Sequence, residues 1–299
     1  MKHLYCSVLN QSQFSLSTPV SELCALCGSN VFSIRVFYGT VDPMKLGYQT
    51  HPRRDLIEEI RWIGENGFAF VDLFFEPVTG AFDVFDPVKV REALTKYQLD
   101  CTGHLAWYLP IGSPMLELRQ AAITIARNYF PAFKTAGCLW VTVHAHWPPS
   151  LFTVDEGIAW QIGTLKQIMS DAAAHGLRIM YEPVGMIQES EGNLRRIFNA
   201  LPELGFHLDI GHFHLNSRQP ADFIRAFSDR LVHVHLHDND GSKDQHLPPG
   251  TGRIDWDETI KALKTCYDGT ITLEVFTDTR EYVLTARDLV LKKWETTRV

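Results

Sequence analysis

The chain has no run of about 18 uncharged apolar residues, the length a helix needs to cross a bilayer, so no membrane span is expected. It has no glycine-rich GxGxxG turn, which weighs against an open, doubly wound dinucleotide-binding sheet. It has no basic excess: the net charge of −7 supplies no field for a phosphate backbone, and a nucleic-acid partner is not expected. Cysteine is sparse. Cys24-Ala-Leu-Cys27 has zinc-ligand spacing but no second pair at a finger-like distance, while Cys101, Cys138 and Cys266 fall in apolar or amphipathic segments and read as small buried hydrophobes. This usage fits a reducing compartment, so a cytoplasmic location is the expectation. Residues 1–30 carry no continuous hydrophobic block, read poorly as a secretion signal and are taken as a separate N-terminal extension.

Residues 31–299 are another matter. No linker, repeat or low-complexity tract divides them, and short apolar runs alternate with amphipathic stretches. Strands are predicted at Val31–Tyr38, Phe68–Phe75, Asp100–Ala106, Leu139–His146, Leu177–Glu182, Gly205–Ile210, Leu231–His237 and Thr270–Phe276. Helices are predicted at Arg53–Asn66, Val88–Tyr97, Met115–Ala136, Asp155–His175, Gly192–Leu201, Ala221–Asp229, Trp256–Tyr267 and Arg280–Lys293. Gly67, Gly137, Gly176 and Gly269 serve as helix stops, and Asp155 and Asp255 as N-caps. Eight strands, each followed by a helix, predict an α/β fold: a single-domain (β/α)8 TIM barrel over residues 31–299.

The densest chemistry lies in His233-Val-His-Leu-His-Asp-Asn-Asp-Gly-Ser-Lys-Asp-Gln-His-Leu-Pro-Pro-Gly. His233, His235 and His237 recur at period two and so share one face of a strand; Asp238, Asp240, Asp244 and His246 follow at once. Imidazoles and carboxylates crowded at a strand end call for a cation, and a divalent metal is the simplest one. Other strands also end in potential ligands: Thr-Gly-His104, Val-His144-Ala-His146, Tyr-Glu182-Pro, Leu-Asp209-Ile-Gly-His212 and Leu-Glu274-Val-Phe. On the fourth strand Thr142, His144 and His146 share a phase, as do Thr272, Glu274 and Phe276 on the eighth, so polar groups point inward while valines and leucines pack under the helices. A lone histidine at a strand end is commonly structural, and His207, His214 and His233 are read so; His146 and His237 fit either role. Asp238 and Asp240 fit simple loop solvation. Glu182 and Glu274 differ, because a carboxylate inside a barrel is costly without a counter-charge.

Together these motifs resemble the xylose isomerase-like barrel superfamily, which holds sugar isomerases and epimerases together with endonuclease IV. The resemblance spans about residues 31–295. It implies one divalent ion held by Glu182, Asp209, His235 and Glu274, with His212 in a substrate-contacting position. The endonuclease IV pattern, a zinc-dependent phosphodiesterase acting at abasic sites, implies further ligands at His104, His144, His212, Asp244 and His246. The wording of the Asp244–Trp256 loop resembles the sugar isomerase and epimerase branch more closely. That branch implies a metal-dependent isomerase or epimerase acting on a sugar, sugar phosphate or sugar acid through an enediolate, with Glu182 and Glu274 as acid and base and His212 orienting a hydroxyl. The oxygen-rich ligand set suits Mn, Mg or Co, and extra imidazoles favour Zn. Trp107, Glu76 and Arg253 are candidate substrate contacts, Tyr108 and Phe276 candidate pocket walls. Such barrels also accommodate homo-oligomers, although no interface is legible.

Overall fold

The computed structural model describes residues 44–299, and within them each apolar run pairs in parallel with the next. The strands are β1 (Lys45–Gln49), β2 (Phe70–Phe75), β3 (Asp100–Leu105), β4 (Trp140–His144), β5 (Arg178–Glu182), β6 (Gly205–Asp209), β7 (Leu231–Leu236) and β8 (Thr270–Leu273). They close in sequence order, β8 returning to β1, into an eight-stranded parallel barrel. Helices α1 (Leu56–Glu65), α2 (Pro87–Lys96), α3 (Leu116–Ala136), α4 (Val154–Ala174), α5 (Glu191–Ala200), α6 (Pro220–Ala226), α7 (Trp256–Cys266) and α8 (Arg280–Thr296) alternate with the strands. This is the (β/α)8 architecture that the alternation predicts. Among the described residues no helix is long and apolar enough to cross a membrane.

Seven predicted strands are recovered with shifts of a few residues, while Val31–Tyr38 lies outside the described residues. The strand that opens the barrel, Lys45–Gln49, was not expected. Its sequence carries Gly47, a weak strand former. The reason is packing: a Cβ at Gly47 would stand 2.5 Å from the Phe70 ring, so the bare backbone makes room for that side chain.

Local glycine signals end three of the helices as expected. Gly137 closes α3 with φ +99°, and Gly67 and Gly176 adopt φ of +74° and +71° just beyond α1 and α4. Asp255 caps α7 by accepting from Glu258 N. Two expectations need correcting. Thr153, not Asp155, caps α4, because Thr153 and Glu156 form a reciprocal capping box that leaves Asp155 free to pair with Arg196. Gly269 is not a left-handed stop; it gives room to the Tyr267 ring, whose hydroxyl donates to Thr270 O.

Register then places the inward-facing groups side by side. Asp72 lies opposite Thr102, His104 opposite Thr142, and His144 opposite Glu182. Asp209 lies opposite His235, and His235 opposite Thr272. Apolar neighbours such as Val141, Val143, Leu208, Val234 and Leu273 face the helices in the core.

Candidate metal centre

The C-terminal ends of the strands open into a cavity of about 1070 Å³. Glu274, His144, His212, Asp244 and His246 line it; Glu182, Asp209 and His235 are fully buried beneath. One ligand atom from each of Glu182, Asp209, His235 and Glu274 lies within 4.8 Å of the others, so the four residues expected to share an ion do converge. The same holds for His104, His144 and Glu182, and for His212, His237, Asp244 and His246. Three of the five such groups among the described residues thus adjoin one another, with Glu182 in two of them; the other two are His104, His207 and His235, and Asp72, His233 and His235.

The ring nitrogens are oriented by what lies behind them. A carbonyl oxygen only accepts, so His104 Nδ1 donates to Leu105 O at 3.0 Å, leaving Nε2 to face Glu182 Oε2 at 3.2 Å. His212 Nδ1 donates to Pro183 O and His246 Nδ1 to Glu274 O, which directs both Nε2 atoms at Asp244 Oδ2, at 3.2 and 2.9 Å. His144 Nε2 stands 3.1 Å from Glu182 Oε2. His235 is turned the other way: Nε2 points down to Asp72 and Nδ1 up to Glu274 Oε2, at 3.0 Å.

These residues fit a divalent cation. Among the described residues, Asp209 Oδ2 is buried with no hydrogen-bond partner. Buried carboxylates from the ends of three strands meet here with imidazoles, not lysine or arginine, as their ion-pair partners. Imidazoles whose second nitrogen is tied down, gathered with carboxylates, are what a metal site requires.

Electrostatics say the same. Burial pushes the Glu182 carboxyl up, outweighing the pull of His235 and His104. Asp209 runs the other way: burial opposes its charge, but His212 and His237 hold it well below the usual carboxylate range. Burial opposes a charge on His246, yet Glu274 and Asp244 raise its pKa to about 9. His212 and His235 are raised in the same direction by their carboxylate neighbours. In the metal-free protein these carboxylates favour protons on the rings as the counter-charge.

A pH signature follows for the metal-free protein. His246 binds its proton more tightly folded than unfolded, so its contribution is complete below pH 6.5 and lost as pH rises through about 9. His144 and His207, kept neutral by burial and neighbouring imidazoles, act in the opposite sense only below pH 6.5. Thermal unfolding of chelator-treated protein should therefore show stability falling across that window, by on the order of 2–3 kcal/mol from His246 alone. A loaded sample should lack this fall, because metal binding displaces those protons; a flat profile without metal would contradict the assignment.

Of the other expected contacts, Trp107, Tyr108 and Phe276 line the cavity at its mouth, each about half exposed or more, and Phe276 stacks on His246 at 3.9 Å. Glu76 also lines it and is buried, which raises its pKa. His146 is half-buried in the same wall. Arg253 is exposed and outside the lining, its backbone N–H donating to Asn239 O. His214 is tied to Asn239 Oδ1 at 2.8 Å. His237 packs against bare backbone, where a Cβ on Gly211 would fall 1.9 Å from its ring. His207, expected to be structural, bonds Thr142 Oγ1 but also brings Nδ1 to 3.2 Å from Glu182 Oε2.

Asp238 departs furthest from expectation. Far from solvating a loop, it is fully buried and accepts from Asn239 N, Ile254 N, Gly250 N and Trp256 Nε1, at 2.8–3.2 Å. It anchors the loop that carries Asp244 and His246. Sequence reasoning missed Asp72, although an acid alone in the apolar run Phe70-Val-Asp-Leu-Phe-Phe75 was a visible signal.

Comparison with known proteins agrees with the geometry. The family model described as xylose isomerase-like TIM barrel matches residues 60–294. The chain is 32% identical over 146 residues to the uncharacterized protein MJ1311 of Methanocaldococcus jannaschii, a match covering 45% of this chain and 50% of that protein. It thus spans about half the length of the curated relative it matches. Among solved structures, a D-tagatose 3-epimerase-like protein superposes with a TM-score of 0.74 at 24% identity, covering 85% of this chain and 98% of the other. The IolI protein with a bound zinc atom superposes at 0.70 and 19% identity, covering 85% and 96%. At these identities the structural likeness establishes the fold.

Proposed function

The chain belongs to the xylose isomerase-like TIM barrel family, and from that premise we propose that it is a divalent-metal-dependent isomerase or epimerase acting on a sugar or sugar derivative. The observation that carries this proposal is the meeting of Glu182, Asp209, His235 and Glu274 at the floor of an open cavity. The cavity volume suits a small polar ligand, with aromatic side chains at its mouth and polar groups at its base. The structural neighbour named a D-tagatose 3-epimerase-like protein supports the same reaction class.

Glu182, Asp209, His235 and Glu274 would hold the ion, which when bound supplies Lewis-acid polarisation of a substrate carbonyl and its neighbouring hydroxyl. One glutamate removes a proton from the carbon next to the carbonyl, giving an enediolate; the other returns a proton to the opposite face, or to the adjacent carbon. Burial raises the Glu182 carboxyl, which makes it a better proton acceptor than a solvated carboxylate. Glu274 lines the cavity and is within reach of a ligand there. His212 lines the same wall and orients a substrate hydroxyl. Three carboxylates favour Mn, Mg or Co, and the added imidazoles move the preference toward Zn.

A second reading is favoured by one observation: the three adjoining ligand groups are those that a trinuclear zinc phosphodiesterase would need. Against it, Arg54 is the one lysine or arginine lining the cavity among the described residues, a poor surface for a duplex backbone. Metal analysis of the purified protein, with proton exchange of keto-sugars in heavy water, discriminates between them. One ion per chain and exchange at a carbon next to the carbonyl are expected. Three tightly held zinc ions, no exchange and cleavage of abasic DNA would replace the isomerase with the nuclease.

A further inference from the structure

His104, His212 and His246 have their rear nitrogens held by backbone carbonyls, which no substitution removes. His235 has none of that support. Its Nε2 lies 2.8 Å from Asp72 Oδ2, on the far side of the barrel and 163 residues away in sequence. A carboxylate only accepts, so this nitrogen carries a hydrogen and keeps it when an ion takes the place of the proton on Nδ1, which faces Glu274 and Asp209. Asp72 and His235 are both fully buried.

Asp72 is itself held on several sides. Thr102 Oγ1, its neighbour in register on β3, donates to Oδ1 at 3.0 Å. Thr272 Oγ1 approaches Oδ2 at 3.4 Å and His233 Nε2 at 3.5 Å, and His233 is in turn tied to Thr270 and Thr272. Among the described residues no lysine or arginine pairs with Asp72; its ion-pair partners are histidines. A carboxylate buried in a barrel interior without a permanent cation is costly for stability alone, and apolar residues are the usual filling of such layers. Its position behind a ligand histidine gives that cost a function.

We propose that Asp72 is the positioning residue of the metal centre, fixing the ring orientation and tautomer of His235 so that Nδ1 is presented to the ion. This rests on the metal-binding part of the functional proposal, not on the identity of the substrate. A carboxylate behind a ligating imidazole also makes the ring a stronger donor. Thr102, Thr272 and His233 hold the carboxylate in turn.

The test uses Co²⁺ alone as probe, with affinity read by competition against a chelator and the site read by the cobalt absorption spectrum. Asp72→Asn keeps the shape and removes the charge; Asp72→Leu removes the hydrogen bond as well. Affinity should fall by about 10-fold in the first and about 100-fold in the second, with an altered cobalt spectrum. The wild-type protein should also show a slowly exchanging, downfield imidazole proton on His235 Nε2, absent from Asp72→Leu. If Asp72→Leu fails to fold, Asp72→Asn decides. Unchanged affinity and spectrum there would overturn the positioning role while leaving the metal site intact. A wild-type protein that binds no Co²⁺ would overturn both, and a protein that binds it with these changes but converts no sugar would lose only the isomerase.

Discussion

Glu182→Gln is expected to lower turnover of a converted keto-sugar by about 10²–10⁴-fold, the usual contribution of a positioned acid or base. Glu274→Gln should do likewise. Both serve one acid–base sequence through a shared enediolate, so the double variant should fall little further than either single one. Folding should survive. Glu182 is buried and raised, which means its charge is disfavoured where it lies, and a neutral isostere removes that cost. Loss of activity in a protein that still binds the ion, and whose metal-free melting temperature is unchanged, would tie the effect to proton transfer. Carbon–hydrogen exchange in heavy water separates the two residues, since losing the base abolishes exchange while losing the acid leaves washout without product. A variant at either position with near wild-type turnover would eliminate the two-glutamate scheme.

Asp238→Ala should be the most destabilising single change in the metal-binding loop, by about 3–5 kcal/mol in urea unfolding. Alanine would leave Gly250 N, Ile254 N and Trp256 Nε1 without their acceptor, two of these residues being buried. The loop is packed too closely for repair: a Cβ on Gly252 would stand 2.3 Å from Asp238 Oδ1. Asp238 also pairs with Leu247 through two backbone hydrogen bonds of 2.7 and 2.9 Å, which fixes where Asp244 and His246 emerge. The variant should therefore weaken metal binding at the His212, Asp244 and His246 group as well. Asp238→Asn keeps an acceptor and should cost less. A cost below about 1 kcal/mol for Asp238→Ala would return it to the status of an ordinary loop acid.

Much of the site was legible because β-structure has period two. Once Val141 and Val143 are assigned to the core, Thr142 and His144 must face the barrel axis, and the same argument directs Thr272 and Glu274 inward. Caps were less secure. Asp155 and Thr153 are both good N-cap residues, and only the reciprocal bond with Glu156 chose between them. The strand Lys45–Gln49 escaped because its pattern is short and interrupted by a glycine whose purpose is to admit Phe70, a contact between strands that no local pattern reveals.

The sequence by itself determined the alternating architecture, the inward phase of the ligands and the strand ends from which Glu182, Asp209, His235 and Glu274 project, because local periodicity carries that information. Only the tertiary structure decided which of the many histidines adjoin which acids. Closing the barrel sets the register that puts His144 beside Glu182 and brings Asp72 of β2 behind His235 of β7, and those pairings exist in no segment of the chain taken alone. Burial then turned Asp238 from a loop acid into an anchor, since a carboxylate removed from water must find its donors in the surrounding backbone.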